Sequence, residues 1–406
     1  MNDKSYISVF SGIGGLEHPS IAPVLLCERD PGCQTVLESR YNLASGDVIS
    51  DVQELRSPPI SSFVVGGWPC QDLSAAGKQV GITGERSGLF FEMLRVACDA
   101  GAHTLIGENV PNLLRVNEGR DFQAVKESIL NDGYRYISWR VLNSRQFGLP
   151  QDRNRLFIVA SKNQQSALAL HAKVSADVKI IRNPKFSGFY WTGGKRSICF
   201  SKGFVPTLKV GAADNRGRGA VAVFDGVNVR KLTVNENLRL QGFDTLDVSG
   251  LSTSAILRMA GNAVALPVGQ FVVSSVMEDS EPEGFRSGFA RGCDSGYFDG
   301  ELDWQIDHPP TPLANNLDDY LERGVNQSLS AQASAGLIVR SVRSGAKMPS
   351  GLFDVLYQNS MRRTGKLKAS RANSFDAMDE VLSEMIEYRN GLEPSERFEE
   401  EGDERD

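Results

Sequence analysis

Short apolar runs, each closed by glycine, proline or an acid, recur through residues 5–161. SYISVF (5–10), PVLLCE (23–28), FVVG (63–66), AHTLIGENV (102–110) and QDRNRLFIVAS (151–161) read as buried strands. SGDVISDV (45–52) reads as a further short strand, and YRYISWRVLNSRQFG (134–148) as a strand and loop. Helical patterns separate them. DPGCQTVLESRY (30–41) takes Asp30 as its N-cap and Pro31 at its first position. Another helix starts near Ser87, and DFQAVKESILN (121–131) is amphipathic. Strands alternating with helices in this way predict an α/β fold with a mostly parallel central sheet, residues 1–162 forming its first part.

The rhythm fails over 163–229, where glycine, aromatic and basic residues mix without a helical or alternating period. That stretch reads as a small, irregular second domain. RKLTVNENLRLQGF (230–243) returns to helix through a capping box, with Thr233 as N-cap and Glu236 three residues on. The helix-turn-helix pattern of 252–277 then completes the first domain, so 230–278 rejoins it. A Gly/Ser/Asp-rich linker opens a partly helical C-terminal extension, 279–392, and the acidic tail 393–406 has the composition of a disordered segment.

Charge sharpens this division. The net charge of −6 resides wholly in 393–406, which carries eight acids and two bases; residues 1–392 balance. Within them, 163–230 holds eleven Lys/Arg against three Asp and no Glu. A local +8 with interleaved aromatics favours a polyanionic partner over a merely solvated basic face. No apolar run is long enough to span a membrane, and the N-terminus lacks the apolar core of a signal peptide. The six cysteines show no metal-like pairing, and the four histidines are scattered. A reduced, cytoplasmic protein with no membrane, no metal and a monomeric state is the expectation.

The candidate chemistry sits at strand ends, where open α/β sheets place their reactive groups. Cys70 stands on the turn after 63–66, with Glu108 at the tip of 102–110 on the same edge. Taken alone, Cys70 also reads as a packing cysteine. SGIGG (11–15) is a Gly-rich turn after the first strand, neither a dinucleotide fingerprint nor a phosphate loop, and a plain tight turn fits it equally. Glu28, ending the second strand, suits the two hydroxyls of a ribose. Asp47 suits an adenine amino group, or is a solvated loop acid. Arg153 and Arg155 alternate onto one side of their strand, where a surface ion pair is the plainer reading.

Taken together, FSGIGG (10–15), CERD (27–30), GDV (46–48), GGWPCQDLS (66–74), GENV (107–110), QDRNR (151–155), the RKLT…RLQGF stretch (230–243) and GNAV (261–264) resemble the DNA cytosine-5 methyltransferases of bacterial or phage type. Order and spacing agree over residues 5–277. The stretch 328–353 looks loosely like a tail seen in some phage and prophage members. The resemblance implies a Rossmann-like sheet binding S-adenosyl-L-methionine, a small target-recognition domain at 163–229, and methyl transfer to C5 of a cytosine flipped out of double-stranded DNA. By this likeness Cys70 is the nucleophile and Glu108 the acid near the base's N3. Arg153 contacts its O2, and Arg155 orients the acid. Phe10, Gly12, Gly14, Gly15, Glu28, Asp47, Val48, Pro69, Asn262 and Val264 surround the cofactor, with Asn262 bridging its loop and the Cys70 turn. Gln71, Ser74, Lys195, Arg196, Arg216 and Arg218 are the candidate DNA contacts, and 75–88, with four glycines, the closing loop. A cognate restriction endonuclease is a partner the likeness also suggests. An RNA (tRNA) cytosine methyltransferase, an inactive DNA-binding relative and a dinucleotide oxidoreductase are the competing readings. The last has no use for the Cys70–Glu108 pair.

Overall fold

The computed structural model describes residues 4–69, 88–174, 184–191, 198–209, 220–282, 285–286, 295–298, 303–306, 317–322, 329–330, 333–338 and 348–361. Cys70, Gln71, Ser74, Lys195, Arg196, Arg216, Arg218, most of the 75–88 loop and the acidic tail lie outside the described residues.

Four strands, β1 (Tyr6–Val9), β2 (Leu25–Cys27), β3 (Phe63–Gly67) and β4 (Thr104–Asn109), form a parallel block in the order β4-β3-β1-β2. Beside β4 the sheet continues through β7 (Asn154–Ser161), which runs antiparallel to β4, and then β5 (Tyr136–Asn143), antiparallel to β7 and so aligned with the block. Each strand of the parallel block is apolar on both sides because helices cover both faces. Ile7, Val9 and Val64 meet Phe90, Met93 and Leu94 of α2 (Leu89–Asp99) and Val125 and Ile129 of α3 (Arg120–Asn131). Their alternating neighbours Tyr6 and Val65 meet Val268, Val272 and Val276 of α7 (Leu266–Met277). Burying each such side chain is worth roughly 1.5–3 kcal/mol.

Local sequence explains the helix ends. α1 (Pro31–Tyr41) begins at Asp30, whose carboxylate accepts from the backbone nitrogens of Gly32 and Cys33. The capping box opens α5 (Val234–Arg239): Glu236 N donates to Thr233 Oγ1, and Thr233 N to Glu236 Oε2. α6 (Thr253–Asn262) starts at Ser252.

Two expected strands differ. The stretch 45–52 is not a strand; only Ile49 bridges Cys27, because Asp47 turns back to accept from Ala44 N. QDRNRLFIVAS divides into β6 (Gln151–Asp152) and β7, as the chain changes sheets at Arg153.

A short α4 (Gln164–Leu168) still lies against β5, β7 and α7. The smaller sheet starts at Ser187, with β8 (Ser187–Trp191), β9 (Ile198–Lys202), β11 (Ala222–Phe224) and β12 (Val229–Lys231) in the antiparallel order β12-β11-β8-β9. β10 (Val205–Pro206) pairs with β6 and joins the two parts. Beyond residue 278 the chain adds β13 (Phe285–Arg286), β14 (Ser295–Phe298) and β15 (Asp303–Ile306) to the main sheet beside β5. It then adds α8 (333–338) and α9 (Ser350–Met361) beside the smaller sheet.

Candidate active site

The chain leaves β1 for β2 on one side and returns to β3 on the other. Such a reversal opens a crevice beyond the carboxyl ends of the strands. The glycine turn after β1 and the turn after β3 flank it.

Phe10, directly after β1, holds φ at +55°, a left-handed conformation uncommon outside glycine and a mark of a functional turn. Gly12 follows at φ +56°, and a Cβ there would meet nothing within 4 Å. This is the open face of the loop, where a ligand can approach the backbone. Gly14 and Gly15 face inward instead: a side chain on the first would meet Arg40 and Glu17, and on the second the carbonyl of Val264. Arg40 reaches over from α1 and donates Nη1 to the carbonyls of Ile13 (3.0 Å) and Gly14 (2.6 Å). Beneath lies Glu17, 1% exposed, accepting from Ser8 Oγ and Leu16 N, both at 2.8 Å. Burial pushes its carboxyl up to about 7, against the Ser8 hydrogen bond and the Arg40 charge.

Glu28 closes the other side. Its Oε2 accepts from Gly12 N (2.8 Å) and its Oε1 from Asp30 N (2.7 Å), and burial raises its pKa against those bonds. Asp47 is exposed, Val48 is buried with Leu26 and Leu37, and Pro69 is half-buried, the last described residue before Cys70.

Glu108 stands in register with Gly67. A Cβ on Gly67 would fall 2.7 Å from Glu108 Oε2, so glycine lets the carboxylate lie across the end of the strand that runs into Pro69 and Cys70. Arg155 Nε stands 3.0 Å from Glu108 Oε1. Burial nevertheless raises the Glu108 pKa, outweighing the pull of Arg155 and Arg153. Next to the acid, Asn109 Nδ2 donates to the Trp68 carbonyl (3.3 Å), and the Trp68 ring packs 5.0 Å from Phe90.

The two arginines do different things. Arg155 pairs with the acid. Arg153 is 1% exposed, and its terminal nitrogens donate to backbone carbonyls: Nη1 to Leu208, Nη2 to Gly261 and Ala263. Gln151 Oε1 accepts from Leu208 N, so the same peptide is held from both sides. Asn262 is exposed at the end of α6. Around it Val264 lies against Gly15, and the Gly261 and Ala263 carbonyls accept from Arg153. Sequence reasoning missed Arg40, Glu17 and Asn109. For Asn109 a signal existed, since it sits inside GENV; for the other two none did.

Residues 5–187 and 194–278 match the family described as C-5 cytosine-specific DNA methylase. The chain belongs to that family. It is 32% identical over 307 residues to the type II methyltransferase M2.BsuMI of Bacillus subtilis, covering 70% of this chain and 77% of that protein. It is 27% identical over 294 residues to the type II methyltransferase M.SsoII of Shigella sonnei, covering 64% and 77%. The Dnmt2 methyltransferase of S. pombe, a solved structure, is 18% identical with a TM-score of 0.48, covering 68% of this chain and 98% of that one. This cytosine-5 methyltransferase therefore acts on DNA and takes its methyl from S-adenosylmethionine. The crevice fits that group: Gly12 leaves open space where a side chain would stand, and Glu28 turns a carboxylate beside it. Among the described residues, no cluster of three or more metal-ligating side chains exists, and no single helix is long and apolar enough to cross a membrane.

Proposed function

We propose that the enzyme methylates a flipped-out cytosine in a specific duplex sequence by covalent catalysis from Cys70. The observation that carries this is Glu108: a buried acid, its pKa raised, lying across the end of the strand that leads to Cys70. Cytosine C5 is a poor nucleophile. Adding a thiolate at C6 pushes the ring electrons towards N3 and makes C5 an enamine carbon. A protonated Glu108 donates to N3 and removes the developing charge. Bound S-adenosylmethionine supplies the electrophilic methyl on a sulfonium. The C5 proton then leaves to a base, and the C6–S bond breaks to restore the ring and the thiolate.

Arg155 orients Glu108. Arg153 acts as a positioning residue, tying the β6–β7 junction to Leu208 and to the turn after α6. Glu28 keeps lone pairs free for a ribose while holding the glycine loop, and Asp47 stands nearby for the adenine. The duplex hides the reactive atoms, so flipping is needed, at a few kcal/mol offset by phosphate contacts. The basic 163–230 segment supports a polyanionic substrate and the family match supports DNA, with Lys195, Arg196, Arg216 and Arg218 as contacts. Both relatives are named type II methyltransferases, which supports a companion restriction endonuclease. A DNA substrate also supports a cytoplasmic place of work.

The test is a duplex carrying 5-fluorocytosine, which has no C5 proton to lose. The wild type with cofactor forms a denaturant-stable adduct; Cys70→Ser forms none and transfers no methyl, yet still binds DNA. Methyl transfer by Cys70→Ser would sink the assignment.

A further inference from the structure

Alternation along the smaller sheet divides its apolar residues between two faces. Phe189, Ala222, Phe224 and Val229 point one way; Tyr190 and Val223 point the other. Neither face is closed by the segment that builds the sheet. Leu352, Phe353 and Leu356 of α9, with Leu337 and Ile338 of α8, cover the first. Leu317 and Leu321 pack into the second beside Val205 and Leu208. All are buried, and Leu329 N donates to Val229 O, joining the extension to β12 through backbone. The family match ends at residue 278, so this covering lies outside the shared core.

The segment 317–322 is fastened on its other side as well. Tyr320 OH donates to the Gly148 carbonyl (3.3 Å), at the end of the 3₁₀ turn (Ser144–Phe147) that follows β5. Glu322 N donates to Glu236 Oε1 (2.6 Å), and Arg239 Nη1 of α5 donates to the Tyr320 carbonyl (3.3 Å). Glu236 in turn pairs with Arg230 of β12 through both oxygens, at 2.7 and 2.8 Å. One short stretch therefore grips the smaller sheet with its leucines and the catalytic domain with its backbone and one tyrosine. It lies at the junction that Gln151 and Arg153 hold from within, around Leu208.

We infer that target recognition in this enzyme is bipartite: residues 317–322, Leu329, α8 and α9 complete the recognition lobe, and 317–322 set its angle over the catalytic face. The inference rests on reading the smaller sheet as the target-recognition lobe. These residues touch no reacting atom; they position the lobe that holds DNA. The cofactor crevice draws on residues 10–69 and the turn after α6, and none of the hydrogen bonds above joins these to 317–322; the one apolar contact among the described residues is the Tyr320 ring against the cluster of Leu16, Val65 and Val264, which Tyr320→Phe keeps. DNA binding and cofactor binding therefore separate.

The experiment uses the full chain and a duplex carrying the site mapped by bisulfite sequencing of plasmid DNA after expression. Leu317→Ala/Leu321→Ala raises the KM for that duplex by about tenfold or more and narrows discrimination against single-base variants, with cofactor affinity by calorimetry within about twofold. Tyr320→Phe, which removes one hydrogen bond and opens no cavity, raises the DNA KM by about threefold and serves if the double variant fails to fold. A DNA KM and discrimination equal to wild type in Tyr320→Phe, or cofactor affinity falling in proportion to DNA affinity in either variant, overturns the inference. Wild-type activity on the duplex tests the underlying function separately, since only the difference between wild type and variant bears on 317–361.

Discussion

At the scale of single residues, two buried carboxyls with raised pKa values have opposite uses. Burial raises the Glu108 pKa against the pull of the two arginines. In the proposed reaction its acid form donates to N3, so kcat/KM should fall as pH rises through its pKa. Glu108→Gln should lower kcat by about 10²–10⁴ with DNA affinity kept, and the alkaline limb of the pH–rate profile should vanish. A limb that persists in the variant belongs to another group. Glu17 touches the loop rather than the reaction. Its carboxyl moves from 4.5 to about 7 on folding. Between those values the native state keeps a proton that the unfolded chain releases. Stability contributed by this group is therefore full below the unfolded value, falls as pH rises towards 7, and is level above. The linked loss is at most about 3–4 kcal/mol, at about 1.36 kcal/mol for each pH unit between those two values. Urea unfolding at about pH 5 and about pH 8 checks it: Glu17→Gln should flatten the difference.

At the scale of elements, the two glycines ending β3 are there for different neighbours. A Cβ on Gly66 would strike the Val9 carbonyl inside the sheet, whereas one on Gly67 meets only the Glu108 carboxylate. Gly66→Ala should therefore lower the melting temperature by several degrees, as roughly 1–3 kcal/mol of overpacking predicts. Gly67→Ala should leave melting nearly unchanged and lower kcat by about 10²-fold, because a displaced acid no longer meets the base. Thermal scans and single-turnover rates on the same preparations separate the two. If both variants behave alike, the glycines share one structural role.

At the scale of the whole molecule, charge is laid out along the chain. The central segment carries +8 and the last fourteen residues −6. DNA affinity should fall linearly in log–log form as salt rises. Deleting 393–406 removes a like charge to DNA, and should raise affinity several-fold in about 50 mM salt but little above about 300 mM, where screening is strong. Filter binding across a salt series reads this directly; equal affinities at low salt would show that the tail lies beyond the reach of the DNA.

Local patterns were legible because their physics is local. Asp30 caps α1 from one residue away, strand ends announce themselves by glycine and proline, and Glu236 sits three residues from its cap partner. Eight short motifs in order sufficed for the family and the cofactor. Arg153 shows what was not legible. Its partners lie 55, 108 and 110 residues away, and each is a backbone carbonyl that any residue would supply. No side-chain identity at 208, 261 or 263 signals that contact. The same reason hid the inward turn of Gly14 and Gly15, which only the positions of Arg40 and Val264 reveal. It also hid the extension: an amphipathic helix states that one face is buried, not which sheet buries it. By itself the sequence determined the α/β class, the family and the methyl donor. Tertiary structure alone decided which glycine of the first loop is open and which face inward, where the Arg153 guanidinium goes and what closes the smaller sheet. Those answers depend on groups brought together from distant parts of the chain, and a linear pattern carries no record of distance in space.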